Sequence, residues 1–300
     1  MKENFFTKKT YALNEFLLAN TNKLTRKNVL DNSCLNLYNN PYLCFNKSEL
    51  IVLASRPSIG KTTLAINWGL DFAANQNTPV GIVTSGIPDA ESLTLRLLAL
   101  ESKISPSKLR RNLLNENETE QIENATLKLS NLPIFISDLP NAKFEDIETA
   151  ATEMVSKNNV KIIFVDGVEY LYEIVVSKSL CEDAQCAEQM KLYYDEIYSM
   201  LENFKNLACT LQIPVVLLVP IKRDIHGCEP NIYSFEDKLI IPKIADKVIM
   251  LHRERYKHSD KWAPAKLIML NDLDNLELGN NVELEFNNMT CEFRYKDGEE

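Results

Sequence analysis

Nine consecutive residues, Ser55-Arg56-Pro57-Ser58-Ile59-Gly60-Lys61-Thr62-Thr63, have the types and order of a loop that holds phosphate. Such a loop turns successive backbone N–H groups toward an anion, and the N-terminus of the helix that follows adds partial positive charge. Gly60 lets the backbone approach closely, the Lys61 ammonium reaches the β and γ phosphates, and the Thr62 hydroxyl is a ligand for Mg²⁺. The general pattern begins with Gly, whereas Ser55 stands there in this chain. A second run, VKIIFVDG, ends in Asp166, a carboxylate placed as the holder of a Mg²⁺ shell beside such a loop. An Asp at a strand end is otherwise a common turn residue, and Gly-Lys-Thr occurs in loops without a ligand. Taken together the two motifs point to a bound nucleoside triphosphate.

For this chemistry the loop must hang between a strand and a helix, and the flanking residues supply both. ELIVLA precedes it, and a helical pattern with apolar Leu64, Ala65 and Trp68 follows. Apolar runs then alternate with helical segments: PVGIVTS, a helix through Leu93 to Glu101, PIFISD, a helix over Phe144 to Asn158, VKIIFVDG, a long helix near Gln185 to Leu211, IPVVLLVP and ADKVIMLH. Buried Ile- and Val-rich strands separated by helices predict an α/β fold, a mostly parallel sheet with helices on both faces. APAKLIML and NVELEFNN read as an antiparallel pair at the sheet edge, closed by CEFRY and an acidic tail. Pro133, Pro214 and Pro242 are expected at strand or loop starts. Residues 1–46 read as an N-terminal arm and linker with one helix around Lys9 to Asn22, and residues 47–300 as the nucleotide-binding domain.

Composition narrows the possible settings. The chain of 300 residues is long enough to bury a large core, and it contains no apolar run of about 18 residues to cross a bilayer. The N-terminus lacks the apolar core and small-residue cleavage site of a secretory signal, so a cytoplasmic protein without membrane contact is expected. Seven cysteines are scattered without zinc-site spacing, which predicts reduced thiols. A net charge of -9 argues against a uniformly basic nucleic-acid coat, though a local basic patch or an oligomeric channel remains compatible with DNA.

The string S-R-P-S-I-G-K-T at Ser55 to Thr62 resembles the A-R-P-S-M-G-K-T loop of bacterial DnaB-type replicative DNA helicases, and the resemblance accounts for Ser55 in place of Gly. The E-S-L-T-L-R-L-L segment at Glu91 to Leu98, the Asp166 strand, IPVVLLV at Ile213 to Val219 and ADKVIMLHRERY at Ala245 to Tyr256 keep the family's order, so the similarity runs from about Glu49 to Tyr295. It implies a RecA-like P-loop ATPase domain that uses ATP and Mg²⁺ at the subunit interfaces of a ring around single-stranded DNA.

The departures from the family pattern fall on catalytic positions. Family members follow their second strand with S-L-E-M, whose Glu positions water, and Ile87 stands in that place. An Ile side chain neither accepts a proton nor orients water. The Gln that ends the family's IPVVLLV-type strand is Pro220 here, and the paired Lys and Arg expected near the C-terminus are replaced by Asn271, Asp272, Leu273, Asp274 and Asn275. Loss of such a transition-state cation costs orders of magnitude in rate. The loop before the Ala245-Asp246 strand is eroded over Ser234 to Leu239, and the helical domain that opens full-length members has no counterpart in residues 1–46. Glu91 and Glu169 are the candidate replacement bases, although glutamates of this kind are usually solvated. Lys222 and Arg223 follow Pro220 where the family's channel loop begins, and are candidates for DNA phosphate contact; a solvated loop charge is the plain alternative.

Three functions are compatible with this pattern. The first is a DnaB-like ATP-binding protein of DNA replication with impaired hydrolysis, acting as a ring subunit or beside an authentic replicative helicase. The second is an active ATP-dependent DNA helicase with a rearranged catalytic set. The third is a non-catalytic scaffold that interacts with a helicase, a reading that gives no reason for intact Lys61 and Thr62. Small-molecule phosphotransfer on the same fold finds no lid-like arginine cluster in the sequence.

Overall fold

A computed structural model of the chain describes residues 35–37, 40, 43–86, 88–168, 184–222, 229–235, 240–253, 262–271 and 281–296, with the side chains of Asn36, residues 184–193 and Asn271 left aside. The expected helix at Lys9 to Asn22 lies outside the described residues.

The strands are β1 (Leu35–Asn36), β2 (Cys44–Phe45), β3 (Leu50–Ser55), β4 (Val80–Thr84), β5 (Ile134–Asp138), β6 (Ile162–Asp166), β7 (Val215–Pro220), β8 (Lys247–His252), β9 (Ala263–Asn271), β10 (Asn281–Asn287) and β11 (Glu292–Tyr295). Between them run α1 (Lys61–Asn75), α2 (Ala90–Ser102), α3 (Pro106–Arg110), α4 (Glu116–Ser130), α5 (Phe144–Asn158), α6 (Ala184–Leu211) and α7 (Ile240–Ile244). Among the described residues β1 and β2 form a separate ribbon, and the other strands form one sheet in the order β11-β10-β9-β8-β3-β7-β6-β4-β5. The strands from β8 to β5 in that order pair in parallel, and β8, β9, β10 and β11 pair antiparallel, as the apolar runs predict.

Every residue of β3, β4 and β6 is buried, which explains why their sequences are continuous apolar runs rather than alternating ones. Ile51 and Leu53 of β3 face Leu64, Trp68 and Phe72 of α1. Leu50, Val52 and Ala54 face the opposite layer, with Ile147 and Ala151 of α5 and Leu201 and Phe204 of α6. Leu37, Leu43 and Phe45 join the first layer, where the Phe45 and Trp68 rings meet edge to face at 5.6 Å. Cys209 and Cys291 are free thiols, but Cys44 is disulfide-bonded, so the expectation of reduced thiols fails there.

Asp246 pins the start of the central strand. Its carboxylate accepts from Leu50 N at 2.7 Å and lies 2.5 Å from Lys205 Nζ on α6, while Asp246 N donates to Leu50 O at 2.9 Å. Pro133 directly precedes β5 and its carbonyl accepts from Val80 N at 2.9 Å; Pro214 precedes β7 and accepts from Ile163 N at 3.2 Å. Pro242 departs from expectation, because it sits buried in the first turn of α7, where a helix has no use for the missing N–H.

Candidate nucleotide-binding site

Residues 56–60 connect the C-terminal end of β3 to α1. The turn needs left-handed backbone twice, at Ser58 (φ 67°) and Gly60 (φ 116°). At Gly60 a side chain is disfavoured for a second reason, since a Cβ would make a tight contact of 3.3 Å with Cζ of Phe293. Ser55 is buried and its hydroxyl donates to Arg56 O at 3.0 Å, a local bond that a glycine could not make. Ile59 N donates to Arg56 O at 3.3 Å, and the α1 ladder begins with Leu64 N to Gly60 O at 2.8 Å. The amides of Lys61, Thr62 and Thr63 precede that first bond and lie where helix N–H groups are free to meet an anion.

The side chains of Lys61 and Thr62 converge on Asp166 at the end of β6. Thr62 Oγ1 donates to Asp166 Oδ2 at 2.5 Å, and Lys61 Nζ lies 3.6 Å from Asp166 Oδ1. Asp166 is only 3% exposed, and its Oδ1 also accepts from Gly167 N at 3.0 Å. A hydroxyl and a carboxylate side by side are hard oxygen donors that suit Mg²⁺, which completes its shell with water and phosphate oxygens. Among the described residues no cluster of three or more His, Cys, Asp or Glu forms a protein-only metal cage. The donor set therefore fits a cation held jointly with a phosphate, by Thr62 and Asp166. A cation held there would supply neutralisation of phosphate charge.

A family model for the DnaB-like helicase C-terminal domain matches residues 35–295. The chain belongs to that family. Among its relatives, the replicative DNA helicase DnaB of Treponema pallidum (strain Nichols) is 32% identical over 222 residues, which cover 74% of this chain and 48% of the relative. The DnaB of Rickettsia prowazekii (strain Madrid E) is 29% identical over 273 residues, covering 85% of this chain and 53% of that protein. The chain thus spans about half the length of the curated relatives it matches. In fold it is similar to a DnaB-like replicative helicase whose structure was described together with its interactions with primase, with a TM-score of 0.71, 18% identity and coverage of 94% of this chain and 68% of that one. A second solved structure, of an isolated ATPase domain, is similar with a TM-score of 0.73 and 18% identity over 96% of this chain and 100% of that one. The RecA-like arrangement inferred from the sequence is the arrangement of this DnaB-like domain.

Around the shared carboxylate, the DnaB-like domain places the remaining sequence-derived candidates unevenly. Thr84 lies opposite Asp166 in register, Ser85 N donates to Asp166 O at 3.1 Å, and Ser85 Oγ donates to Gly167 O at 3.0 Å. The turn that leaves β4 is therefore fixed against Asp166, and the Thr84 hydroxyl donates to Pro88 O within it. Ile87 itself lies outside the described residues, as do Glu169, Arg223 and Asp272 to Asn275. Pro220 stands opposite Ser55 in the β3–β7 register, and Ile221 N donates to Ser55 O at 3.0 Å. The position expected to sense phosphate is thus beside the loop but carries no hydrogen-bonding side chain. Lys222 is exposed, and its backbone N donates to Ser234 O at 3.1 Å. Glu91 is exposed in the first turn of α2.

Three contacts around the loop and the start of α1 are not foreseeable from residue type. Arg253, just past β8, donates from Nε to Ile59 O at 3.1 Å and from Nη1 to Asn288 Oδ1 at 3.0 Å. Its guanidinium lies 4.2 Å from the centroid of the Phe286 ring, and burial pushes its pKa down from the ordinary arginine value. Phe293 closes over Gly60, and Asn67 ties α1 to the turn before Phe293. Arg253 belongs to the ADKVIMLHRERY run, which is legible as a family match without any role for the arginine.

Proposed function

We propose that this DnaB-like domain is an ATP-binding subunit of the DNA replication apparatus that hydrolyses ATP slowly or not at all. The observation that carries the reading is the Thr62–Asp166 contact at 2.5 Å with Lys61 Nζ at 3.6 Å, which supports an intact phosphate and Mg²⁺ end. The hydrolytic end differs. Pro220 occupies the strand end beside Ser55, and Ile87 and the Asn271 to Asn275 segment supply no base and no cation where the family resemblance implies them. Binding without fast turnover is what that combination supports, because phosphate binding and water activation are carried by different groups.

Kinship to replicative helicases supports a setting at DNA in the cytoplasm, and among the described residues no helix is long and apolar enough to cross a membrane. Partners consistent with the family are further copies of the chain in a ring, single-stranded DNA approached through Lys222 and Arg223, or an authentic replicative helicase. Steady-state ATP hydrolysis with and without single-stranded DNA, beside Lys61→Ala and a fluorescent-nucleotide titration, tests the reading. Tight binding without turnover is expected. DNA-stimulated turnover that Lys61→Ala abolishes would overturn the impaired-hydrolysis reading and point to an active helicase, and absence of binding would leave a scaffold.

A further inference from the structure

The turn between β10 and β11 lies against the first two turns of α1, and one amide side chain makes the junction. Asn67 is 7% exposed. Its Nδ2 donates to Thr63 O at 2.8 Å and to Cys291 O at 2.9 Å, and its Oδ1 accepts from Phe293 N at 2.9 Å. Two carbonyls require the NH₂ end and a backbone N–H requires the oxygen, so the opposite orientation of the amide would leave all three contacts mismatched. Cys291, whose carbonyl is held, takes the left-handed conformation with φ 59°, so the turn has a defined shape at the point of attachment.

The same edge of the sheet reaches the phosphate loop by two further routes, one direct and one through Arg253. The Phe293 ring lies close over Gly60, where a Cβ would meet its Cζ at a tight 3.3 Å, and Asn288 shares Arg253 with the carbonyl of Ile59. Thr63, on the other side of the Asn67 amide, directly follows Lys61 and Thr62 in the first turn of α1. The loop is therefore braced from outside by residues far along the chain that come from the antiparallel edge of the sheet, not from its parallel core.

We propose that Asn67 is a positioning residue through which the β10–β11 turn sets how firmly the phosphate loop holds nucleotide, an inference that rests on the nucleotide-binding reading above. Asn67 acts through Thr63 and Gly60, which it and the turn hold in place. Removing the amide frees the turn from α1, lets the Phe293 ring withdraw from Gly60, and loosens a loop whose binding depends on several N–H groups aimed at one anion.

The test uses the full chain and three measurements: affinity for a fluorescent ATP analogue with Mg²⁺, melting temperature without nucleotide, and hydrogen exchange at the Phe293 amide with and without nucleotide. In the wild-type protein, nucleotide is expected to slow Phe293 exchange. Asn67→Asp keeps the acceptor for Phe293 but loses both donors, and is expected to bind nucleotide about tenfold more weakly at a temperature where it is fully folded. Asn288→Ala, which removes only the outer contact to Arg253, is expected to lose roughly threefold. Asn67→Asp that is folded and binds as tightly as wild type would overturn the proposal. If that variant does not fold, wild-type exchange at Phe293 that ignores nucleotide, together with unchanged affinity in Asn288→Ala, would overturn it equally. A wild-type protein that binds no nucleotide would remove the underlying functional reading, and this inference with it.

Discussion

Thr62 and Asp166, which open and close a stretch containing β4 and β5, meet through a hydroxyl-to-carboxylate hydrogen bond of 2.5 Å. The bond joins the first turn of α1 to the end of β6, so the two side chains proposed to hold the cation are already in contact.

Separating their roles requires two substitutions. Thr62→Ala and Asp166→Asn are each expected to weaken Mg²⁺-dependent nucleotide binding by about 1.5–3 kcal/mol, roughly ten- to a hundredfold. Binding measured in EDTA should differ far less between the variants and the wild-type protein. Isothermal titration with and without Mg²⁺ checks this, and equal losses in both conditions would assign the two residues to loop structure rather than to the cation.

The groups that the family resemblance implies at positions 87 and 220 can be introduced. Ile87→Glu combined with Pro220→Gln is expected to raise steady-state ATP turnover by about 10²-fold, the lower end of what a positioned general base contributes. Phosphate release assays on the double variant and each single variant measure it. Turnover that stays at the wild-type level would show that the barrier lies elsewhere, with the absent cation of residues 271–275 as the next target.

Asp246 is expected to matter for stability rather than for binding. Asp246→Ala deprives the Leu50 amide of its acceptor and should cost about 1–2 kcal/mol in urea unfolding, with little added by the Lys205 pair, which is about a third exposed and screened. Nucleotide affinity should stay within about twofold of wild type. A large loss of affinity at unchanged stability would contradict this assignment.

Acid sensitivity has an identifiable contributor at the start of α2. Asp89 caps the helix by accepting from Ser92 N at 2.9 Å, and that backbone bond, with the Ser92 side chain, holds its carboxyl below the usual carboxylate range. A carboxyl depressed in the folded state adds stability above its unfolded pKa, about 3.9, and that stability is lost as pH falls through the lower folded value. Asp89→Asn keeps a capping side chain but removes the titration. Its unfolding should therefore match wild type near pH 7 and show a shallower loss of helicity below about pH 4, as read by circular dichroism.

Much of this is legible in the sequence where function depends on local pattern. β3, β4, β6 and β7 announce themselves as Val- and Ile-rich runs because both faces are buried, and Lys61, Thr62 and Asp166 sit at ends of those runs. α4 is hard to see because only Ala125 is fully buried along it and its face is largely acidic, although the capping box of Asn115 and Glu118 marks its start. Asn67, Arg253 and Phe293 are illegible for a different reason. Asn67 and Arg253 bond backbone atoms far away in the chain and Phe293 is in turn held by Asn67, and a hydrogen bond to a carbonyl or amide leaves no signature in the identity of the residue that provides it.

The order of strands in the sheet has a consequence for synthesis. β3, from which the phosphate loop hangs, has no neighbour close in the chain: Leu50 pairs with Val215 and Ile51 with Lys247. A nascent chain that has emerged through α5 carries its phosphate loop on an unpaired apolar strand, and only when β7 and β8 leave the ribosome does that strand gain both flanks. Contacts of such sequence separation close slowly and expose strand edges while they wait. Truncated translation products ending before β8 are therefore expected to engage chaperones or aggregate, and the proposed nucleotide pocket is among the last parts of the protein to come into being.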